Sequence, residues 1–239
     1  MTVKTPLDFS KCNVYFDFDN TMTSFDVLDD IIEKFSINRD WVVFENAWQK
    51  GEIGSRECLK WQMRSVRSTK PKLSRYLDKI QLDPNFADLL EFLKRKGTET
   101  AILSDSFSFF IERILRNNGV HGIKLYSNNL RFSKNKVIPT FPHTDKSCSH
   151  CANCKKLHIF KLGGRGRTNI YIGDGLSDIC PAEHSDIVFA KGSLKEHFTK
   201  TKKEFIPFNN LSDVYRWFLE AGNVYETEVG QELFAIKRK

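Results

Sequence analysis

The stretch Val14-Tyr15-Phe16-Asp17-Phe18-Asp19-Asn20-Thr21 constrains this chain more than any other. An apolar, aromatic-rich run stops at two carboxylates spaced i, i+2, followed by a hydroxyl residue. Alternation along an extended strand puts Asp17 and Asp19 on one side. Because the strand is ending there, the second carboxylate can swing over the first. Two acids leaving a buried strand are costly unless something positive sits between them, and a divalent cation is the usual answer. An ordinary strand running into an acidic turn has the same local pattern, so the rest of the chain must decide.

A second stretch, Asn169-Ile170-Tyr171-Ile172-Gly173-Asp174-Gly175-Leu176-Ser177-Asp178, repeats the logic. A β-branched apolar run again ends in acids, now flanked by glycines that allow tight turning and close backbone approach. Two parallel strands would deliver Asp17, Asp19, Asp174 and Asp178 to one carboxyl edge, where open α/β sheets place their ligands. An all-oxygen cluster there suits a hard cation with a phosphate completing its shell. Between the two stretches, Thr100-Ala101-Ile102-Leu103-Ser104 is a short apolar run ending in a hydroxyl, ahead of an apolar-periodic helix from about Phe107 to Asn118. Later, Lys155 and Lys156 open another helical stretch.

Acid pair, strand-end serine, helix-start lysine and glycine-flanked acids, in that order, resemble the four motifs of the haloacid dehalogenase superfamily of phosphatases over residues 13–207. The resemblance implies that Asp17 is the nucleophile that becomes an aspartyl-phosphate and Asp19 the general acid/base. Thr21 matches the residue that props Asp19 beside the substrate. Ser104 and Lys155 would bind the transferring phosphoryl oxygens. Lys155 is preferred to Lys156 because Cys154-Lys155 is similar to a Cys-Lys pair in some relatives. Asp174 would complete a Mg2+ site with Asp17 and the backbone carbonyl of Asp19, Asp178 would orient that site from behind, and Gly175 would border the substrate.

The expected fold is α/β, a Rossmann-like parallel sheet core with an inserted small helical-bundle cap. Core segments are residues 1–24 and 84–239; the cap is 25–83. The cap reads as helix after helix, Asp26 to Phe35, Trp41 to Lys50, Ser55 to Arg67 and Lys72 to Ile80, with Ser55 as an N-cap. Trp41, Phe44, Trp48, Leu59 and Met63 recur at spacings that make apolar faces, read for the most part as bundle core. Beyond it, helix Phe86 to Lys96, strand Glu99 to Ser104, the helix to Asn118 and a short strand near Lys124 to Tyr126 alternate. A β excursion turns at Lys134-Asn135-Lys136. Strand Thr168 to Ile172, a helix near Leu176 to His184, strand Ile187 to Ala190 and helix Leu211 to Ala221 follow. The 222–239 tail has weak periodicity and no assigned place. A bundle inserted after the first strand resembles the cap of the phosphoserine-phosphatase-like branch, which closes over the site and selects substrate.

Composition excludes little and agrees with this reading. A chain of 239 residues, 40% hydrophobic and 28% charged, can bury a full α/β core. No apolar run approaches the roughly 20 residues that cross a bilayer, and Met1 to Cys12 lacks the apolar stretch of a signal peptide, which predicts a cytoplasmic protein without a membrane partner. The net charge of +7 is scattered, with denser spots at 94–96, 165–167 and 200–203. No regular basic spacing with interleaved aromatics supports nucleic-acid binding. Oligomeric state is left open.

Three of six cysteines fall in Cys148-Ser149-His150-Cys151-Ala152-Asn153-Cys154, with His143 and His158 nearby. Thiolate and imidazole at such spacing suit zinc, but a zinc ribbon would need a second pair; a redox-sensitive thiol group or a plain loop fits the same residues. A similar Cys-rich loop precedes the motif lysine in the methionine-salvage phosphatase acting on 2-hydroxy-3-keto-5-methylthiopentenyl-1-phosphate and in phosphoethanolamine/phosphocholine phosphatases.

For the substrate, Asp26 matches the acid that recognises the amine in phosphoserine phosphatases, whereas Gln62 stands where their carboxylate-gripping arginine is found, with Arg64 or Lys60 as candidate substitutes. Asp105 replaces their glycine and either meets an amine or hydroxyl or caps the next helix. The expectation is a Mg2+-dependent phosphomonoesterase for a small phosphorylated metabolite of methylthio-ketose phosphate, polyol phosphate or phosphoethanolamine/phosphocholine type. The alternatives are a phosphoserine phosphatase or, in a different class, a non-enzymatic protein binding metal or nucleic acid.

Overall fold

A computed structural model of the chain describes residues 7–148 and 150–222; of the 222–239 tail, all but Gly222 lies outside the described residues. Seven strands form one sheet in the order β4-β3-β2-β1-β5-β6-β7. They are β1 (Cys12–Phe16), β2 (Glu99–Phe107), β3 (Lys124–Ser133), β4 (Lys136–Thr140), β5 (Thr168–Gly173), β6 (Ile187–Ala190) and β7 (Ile206–Pro207). All neighbours run parallel except β3 and β4, the expected hairpin. Its turn carries Lys134 at φ 54.

Because side chains alternate across a strand, each central strand feeds two cores. Val14, Phe16, Ile102, Ile170 and Ile172 pack on one face with α5 (Phe86–Arg95), α6 (Ser108–Asn117) and a final helix α10 over 211–222. Tyr15, Ala101, Leu103 and Tyr171 pack on the other with α7 (Lys155–Gly163), α8 (Ile179–Ala182) and α9 (Gly192–Lys200). Burial on both faces explains why β1 is mostly apolar; its one amide, Asn13, is buried with its donors on Gly163 O and Asn169 Oδ1. Its central place, between β2 and β5, puts the first acid pair beside the second.

Four helices, α1 (Val27–Phe35), α2 (Trp41–Gln49), α3 (Ser55–Ser65) and α4 (Lys70–Leu77), are inserted between β1 and α5. Their apolar faces, including Ile31, Ile32, Met63 and Leu77, are continuous with the main core. Single bridges pair Thr23 with Leu82 and Arg67 with Lys136, so the insertion is pinned at its entry and against the β3–β4 hairpin.

Several expectations change here. The N-cap of α3 is Gly54, and Ser55 is the first helical residue. Trp41, Phe44 and Trp48 belong to α2, which buries no residue fully, whereas Leu59 and Met63 are core. The outer helix leans on α3: Trp41 packs partly buried against the core as expected, whereas Phe44 stacks on the exposed Trp61. β2 runs on to Phe107, with a register irregularity against β3 between Leu103 and Phe107. The stretch near Leu176 to His184 is a 3-10 turn, Leu176–Asp178, followed by the one-turn α8. Helix α9 and strand β7 escaped the sequence pattern. The first buries only Leu194 and Phe198 along its length, and the second is two residues long. Among the described residues, no helix is long and apolar enough to cross a membrane.

Candidate active site

β1 ends at Phe16, and Asp17 extends it one step, donating its N–H to Ile172 O at 2.9 Å. That ladder bond fixes where the Asp17 side chain emerges. Lys155, the first residue of α7 and 2% exposed, places Nζ 2.6 Å from Asp17 Oδ1, 2.6 Å from Asp178 Oδ1 and 3.2 Å from Ser177 Oγ. A cation at a helix N-terminus is disfavoured by the helix dipole, and burial alone would lower its pKa. The charges of Asp17 and Asp178 outweigh burial and raise it well above the usual lysine value, so Lys155 is held as an ammonium.

Asp178 is fully buried, and its acceptors are all engaged. Oδ1 takes Lys155 and the Tyr171 hydroxyl at 2.7 Å; Oδ2 takes the N–H groups of Asp174 and Gly175, each at 2.9 Å. It therefore anchors the lysine and the second acidic loop from behind. Gly173 is required by this packing, since a Cβ there would sit 2.6 Å from Asp178 Oδ2 and 2.9 Å from the Tyr171 ring.

Thr21 does not reach Asp19, as the sequence suggested; its hydroxyl donates to Asp174 Oδ1 at 2.9 Å. Asp19 is held instead by the start of α1, accepting the N–H groups of Val27 at 2.9 Å and Leu28 at 3.3 Å. The turn through Asn20, at φ 55, brings the chain round so that α1 points its free N–H groups back at this carboxylate. Burial, and then the charge of Asp26, push Asp19 well above the carboxylate range against those two hydrogen bonds.

Ser104 lies in the irregular end of β2, where bulges commonly re-aim side chains. Its Oγ accepts the N–H of Ser106 at 3.0 Å. Asp105 does not cap α6, which has no side-chain cap; its Oδ1 accepts the N–H of Asn153 at 3.1 Å. Asn153 was missed by sequence reasoning. Its buried amide donates to Ser104 O at 2.9 Å and Tyr126 O at 2.8 Å, and its carbonyl pairs with His158 Nε2 at 2.8 Å. Burial pushes His158 down to about 4, so the ring is neutral and serves as the donor to that carbonyl. One residue thus ties the ends of β2 and β3 to the chain entering α7. Partners so distant in sequence leave no local signal, nor does the hydroxyl of Tyr171, an ordinary strand residue by pattern. Asn153→Ala leaves several buried groups unpaired at about 1–3 kcal/mol each. We expect a loss of about 3 kcal/mol in urea unfolding, with impaired turnover because Ser104 and Lys155 lose their common tie.

Asp17, Asp174 and Asp178 offer oxygens within 4.8 Å of one another. Lys155 offsets only one of these three charges. Burial and the Asp178 charge push Asp174 up to about 7. With Asp178 fully engaged, Asp17 and Asp174 form an oxygen donor set whose uncompensated charge fits a hard divalent cation. Among the described residues Cys148, Cys151 and Cys154 form no comparable group.

A cleft of about 530 Å³ lies over this edge. Asp17, Asp19, Ser104, Asp105, Asp174 and Gly175 floor it, and Asp26, Asp29, Glu45, Trp48 and Gln62 from α1–α3 face them. Gln62 is buried and donates to Glu45 Oε2 at 3.0 Å. Neither Lys60 nor Arg64 lines the cleft; the Arg64 guanidinium lies 4.1 Å over the Trp61 ring.

Residues 12–208 match the family described as "Putative Phosphatase". The chain belongs to this family. It is also similar to the 2-hydroxy-3-keto-5-methylthiopentenyl-1-phosphate phosphatase of Bacillus thuringiensis subsp. konkukian, at 26% identity over 84% of this chain and 93% of that one. The enzyme of that name from Brevibacillus brevis is 25% identical over 86% of this chain and 94% of its own. Among solved structures, a substrate-bound phosphoserine phosphatase shares the fold with a TM-score of 0.68 at 16% identity, covering 87% of this chain and 98% of that chain. The protein is a phosphatase of this family, similar in sequence to the 2-hydroxy-3-keto-5-methylthiopentenyl-1-phosphate phosphatases and in fold to phosphoserine phosphatases.

Proposed function

We propose that the protein is a Mg2+-dependent phosphomonoesterase acting on a small phosphorylated metabolite through an aspartyl-phosphate at Asp17. The observation that carries this is the buried ammonium of Lys155 held 2.6 Å from both Asp17 and Asp178, beneath a cleft that Asp19 also lines. Asp17 attacks phosphorus, while Lys155 and Ser104 steady the phosphoryl oxygens. Asp19, whose raised pKa keeps a proton available, gives it to the leaving alcohol. It then takes one from the water that hydrolyses the aspartyl-phosphate. Mg2+, held by Asp17, Asp174 and the Asp19 carbonyl, would neutralise the phosphoryl group's charge. Asp178 keeps Lys155 and the Asp174 loop in place.

Helices α1–α4, residues 25–83, would act as the cap over a core of 1–24 and 84–239, excluding water from the cleft. Six cysteines without disulfides suit a cytoplasmic, reducing setting.

The cleft is acidic on both sides, with Asp26, Asp29 and Glu45 facing Asp105 of the floor, and no lysine or arginine is among the described residues lining it. A substrate carboxylate would there meet like charge without a bidentate partner. The proposed substrates are therefore methylthio-ketose, polyol or phosphoethanolamine/phosphocholine-type phosphates, and phosphoserine is a poor one. In a panel at equal Mg2+, kcat/KM for phosphoserine should fall on the order of a hundredfold below the best member. Phosphoserine at the head of that panel would overturn the assignment of Gln62.

A further inference from the structure

Cys148 and Cys151 are spaced three apart, and the loop brings their sulfurs to 3.6 Å as free thiols, both half-buried. Their surroundings differ in a way that suits exchange chemistry. Burial alone would raise the Cys148 thiol, but the N–H groups of Cys151 and His150 and the Cys151 side chain bring it below the usual value. Burial, and then Cys148 itself, push Cys151 far up. One sulfur is thus the more easily ionised of the two and so the better nucleophile, and its neighbour is a protonated thiol in contact with it.

The loop that carries them is tied at both ends to the phosphatase machinery. On the side of the α1–α4 insertion, His150 O accepts the Arg56 N–H at 3.1 Å, and Ala152 N–H donates to Ser55 Oγ at 2.9 Å. Gly54 lies so close that a Cβ there would sit 2.4 Å from His150 O, so this junction has no slack. On the core side, Asn153 grips Ser104 O, and Lys155 follows two residues later. A cavity of about 210 Å³ is lined by Cys151 together with Trp48, Gly54, Asp105, Lys155 and Ser177. Nothing in the phosphoryl-transfer chemistry uses either thiol.

We propose that Cys148 and Cys151 form a thiol–disulfide exchange site that takes a small-molecule disulfide as its oxidant, and that closing the bond lowers phosphatase turnover. The Cys148 thiolate attacks one sulfur of the disulfide RSSR, forming a mixed disulfide and expelling RS⁻. Cys151 gives its proton to that thiolate, and its sulfur attacks Cys148, expelling the second RS⁻, which is protonated from solvent. Two protein thiols are oxidised by two electrons, and one RSSR is reduced to two RSH. An S–S bond is about 2.05 Å long, so the sulfurs must close by roughly 1.5 Å. With Gly54 packed against His150, that movement passes along the loop to Asn153 and Lys155. The effect on turnover rests on the phosphatase reading above; formation of the bond does not.

The test uses the full chain with Mg2+, fully reduced or equilibrated with glutathione disulfide, assayed on an aryl phosphate and mapped by peptide mass spectrometry. The expected result is a Cys148–Cys151 cross-link, with turnover reduced about tenfold and restored by dithiothreitol. Cys148→Ser should keep its turnover in glutathione disulfide, and Cys151→Ser should stall as the glutathione adduct on Cys148. A pair that stays reduced, a cross-link that leaves turnover unchanged, or equal inhibition of Cys148→Ser would overturn the proposal. A reduced chain inert on every phosphate ester would instead defeat the phosphatase reading, and mass mapping would still decide whether the exchange site exists.

Discussion

Asp17→Asn should abolish turnover of every phosphate ester while leaving the fold intact. The change keeps the shape of the side chain and an acceptor for Lys155, which lies 2.6 Å from Oδ1. What it removes is the nucleophile, and with it the covalent half of the reaction. It also removes one charge from the cluster of Asp17, Asp174 and Asp178: burial, followed by the Asp178 charge, pushes Asp17 well above the carboxylate range. Stability should therefore hold or rise slightly, whereas kcat should fall on the order of 10⁴-fold or more. Aryl phosphate hydrolysis, set beside urea unfolding of the same preparation, separates the two effects. Residual turnover near wild type, in protein free of contaminating phosphatase, would exclude Asp17 as the nucleophile.

How much of this site could be read from residues alone follows from where each signal lives. The acid pairs announce themselves because each ends an apolar run, so periodicity and charge change at the same residue. Their meeting at one edge needed only the assumption of parallel pairing, and β1 and β5 are indeed neighbours, with Phe16 opposite Ile172. The lysine was legible through its order in the chain, but not its depth: a residue at a helix start is ordinarily solvated, and Lys155 is sunk between two carboxylates. Hydroxyl partnerships were the weak point. Thr21 lies near both Asp19 and Asp174, and only the path of the turn through Asn20 decides that it bonds to Asp174. Likewise the amide of Asn153 finds Tyr126 and Ser104 across two crossovers, a pairing no local window contains.

The same limit applies to the insertion. Its helices were legible from apolar spacing, yet the spacing of Trp41, Phe44 and Trp48 could not say whether α2 was inner or outer. An amphipathic face shows that something is covered, and the topology shows what. Here Trp48 meets the cleft rather than a bundle core, so the aromatic that looked structural borders the place where a substrate would sit. The glycines divide in a similar way. Of the two reasons for glycine at 173, tight turning and close approach, the structure bears out the second, because Asp178 and Tyr171 fill the volume a side chain would need.

Asp174→Ala should behave as metal removal does. Its carboxylate is fixed by the Thr21 hydroxyl, and its own N–H is fixed by Asp178, so the side chain is presented rigidly to the cleft without taking part in the lysine pair. Removing it lessens the repulsion on Asp17 and leaves Lys155 with both of its carboxylates, so the fold should survive. What is lost is half of the side-chain oxygen set proposed for Mg2+. Turnover should fall by at least about a thousandfold, and added Mg2+ should not restore it. In the wild type, chelation should abolish activity and Mg2+ restore it. Ca2+ should inhibit, since its larger and looser oxygen shell misaligns Asp17 with phosphorus. Mg2+ binding followed by calorimetry distinguishes lost metal from lost chemistry: Asp17→Asn should weaken binding and Asp174→Ala should weaken it further, whereas Ser104→Ala should bind Mg2+ as the wild type does while turning over slowly. Full activity in metal-stripped, chelated protein would mean that the acids at this edge serve some purpose other than holding a cation.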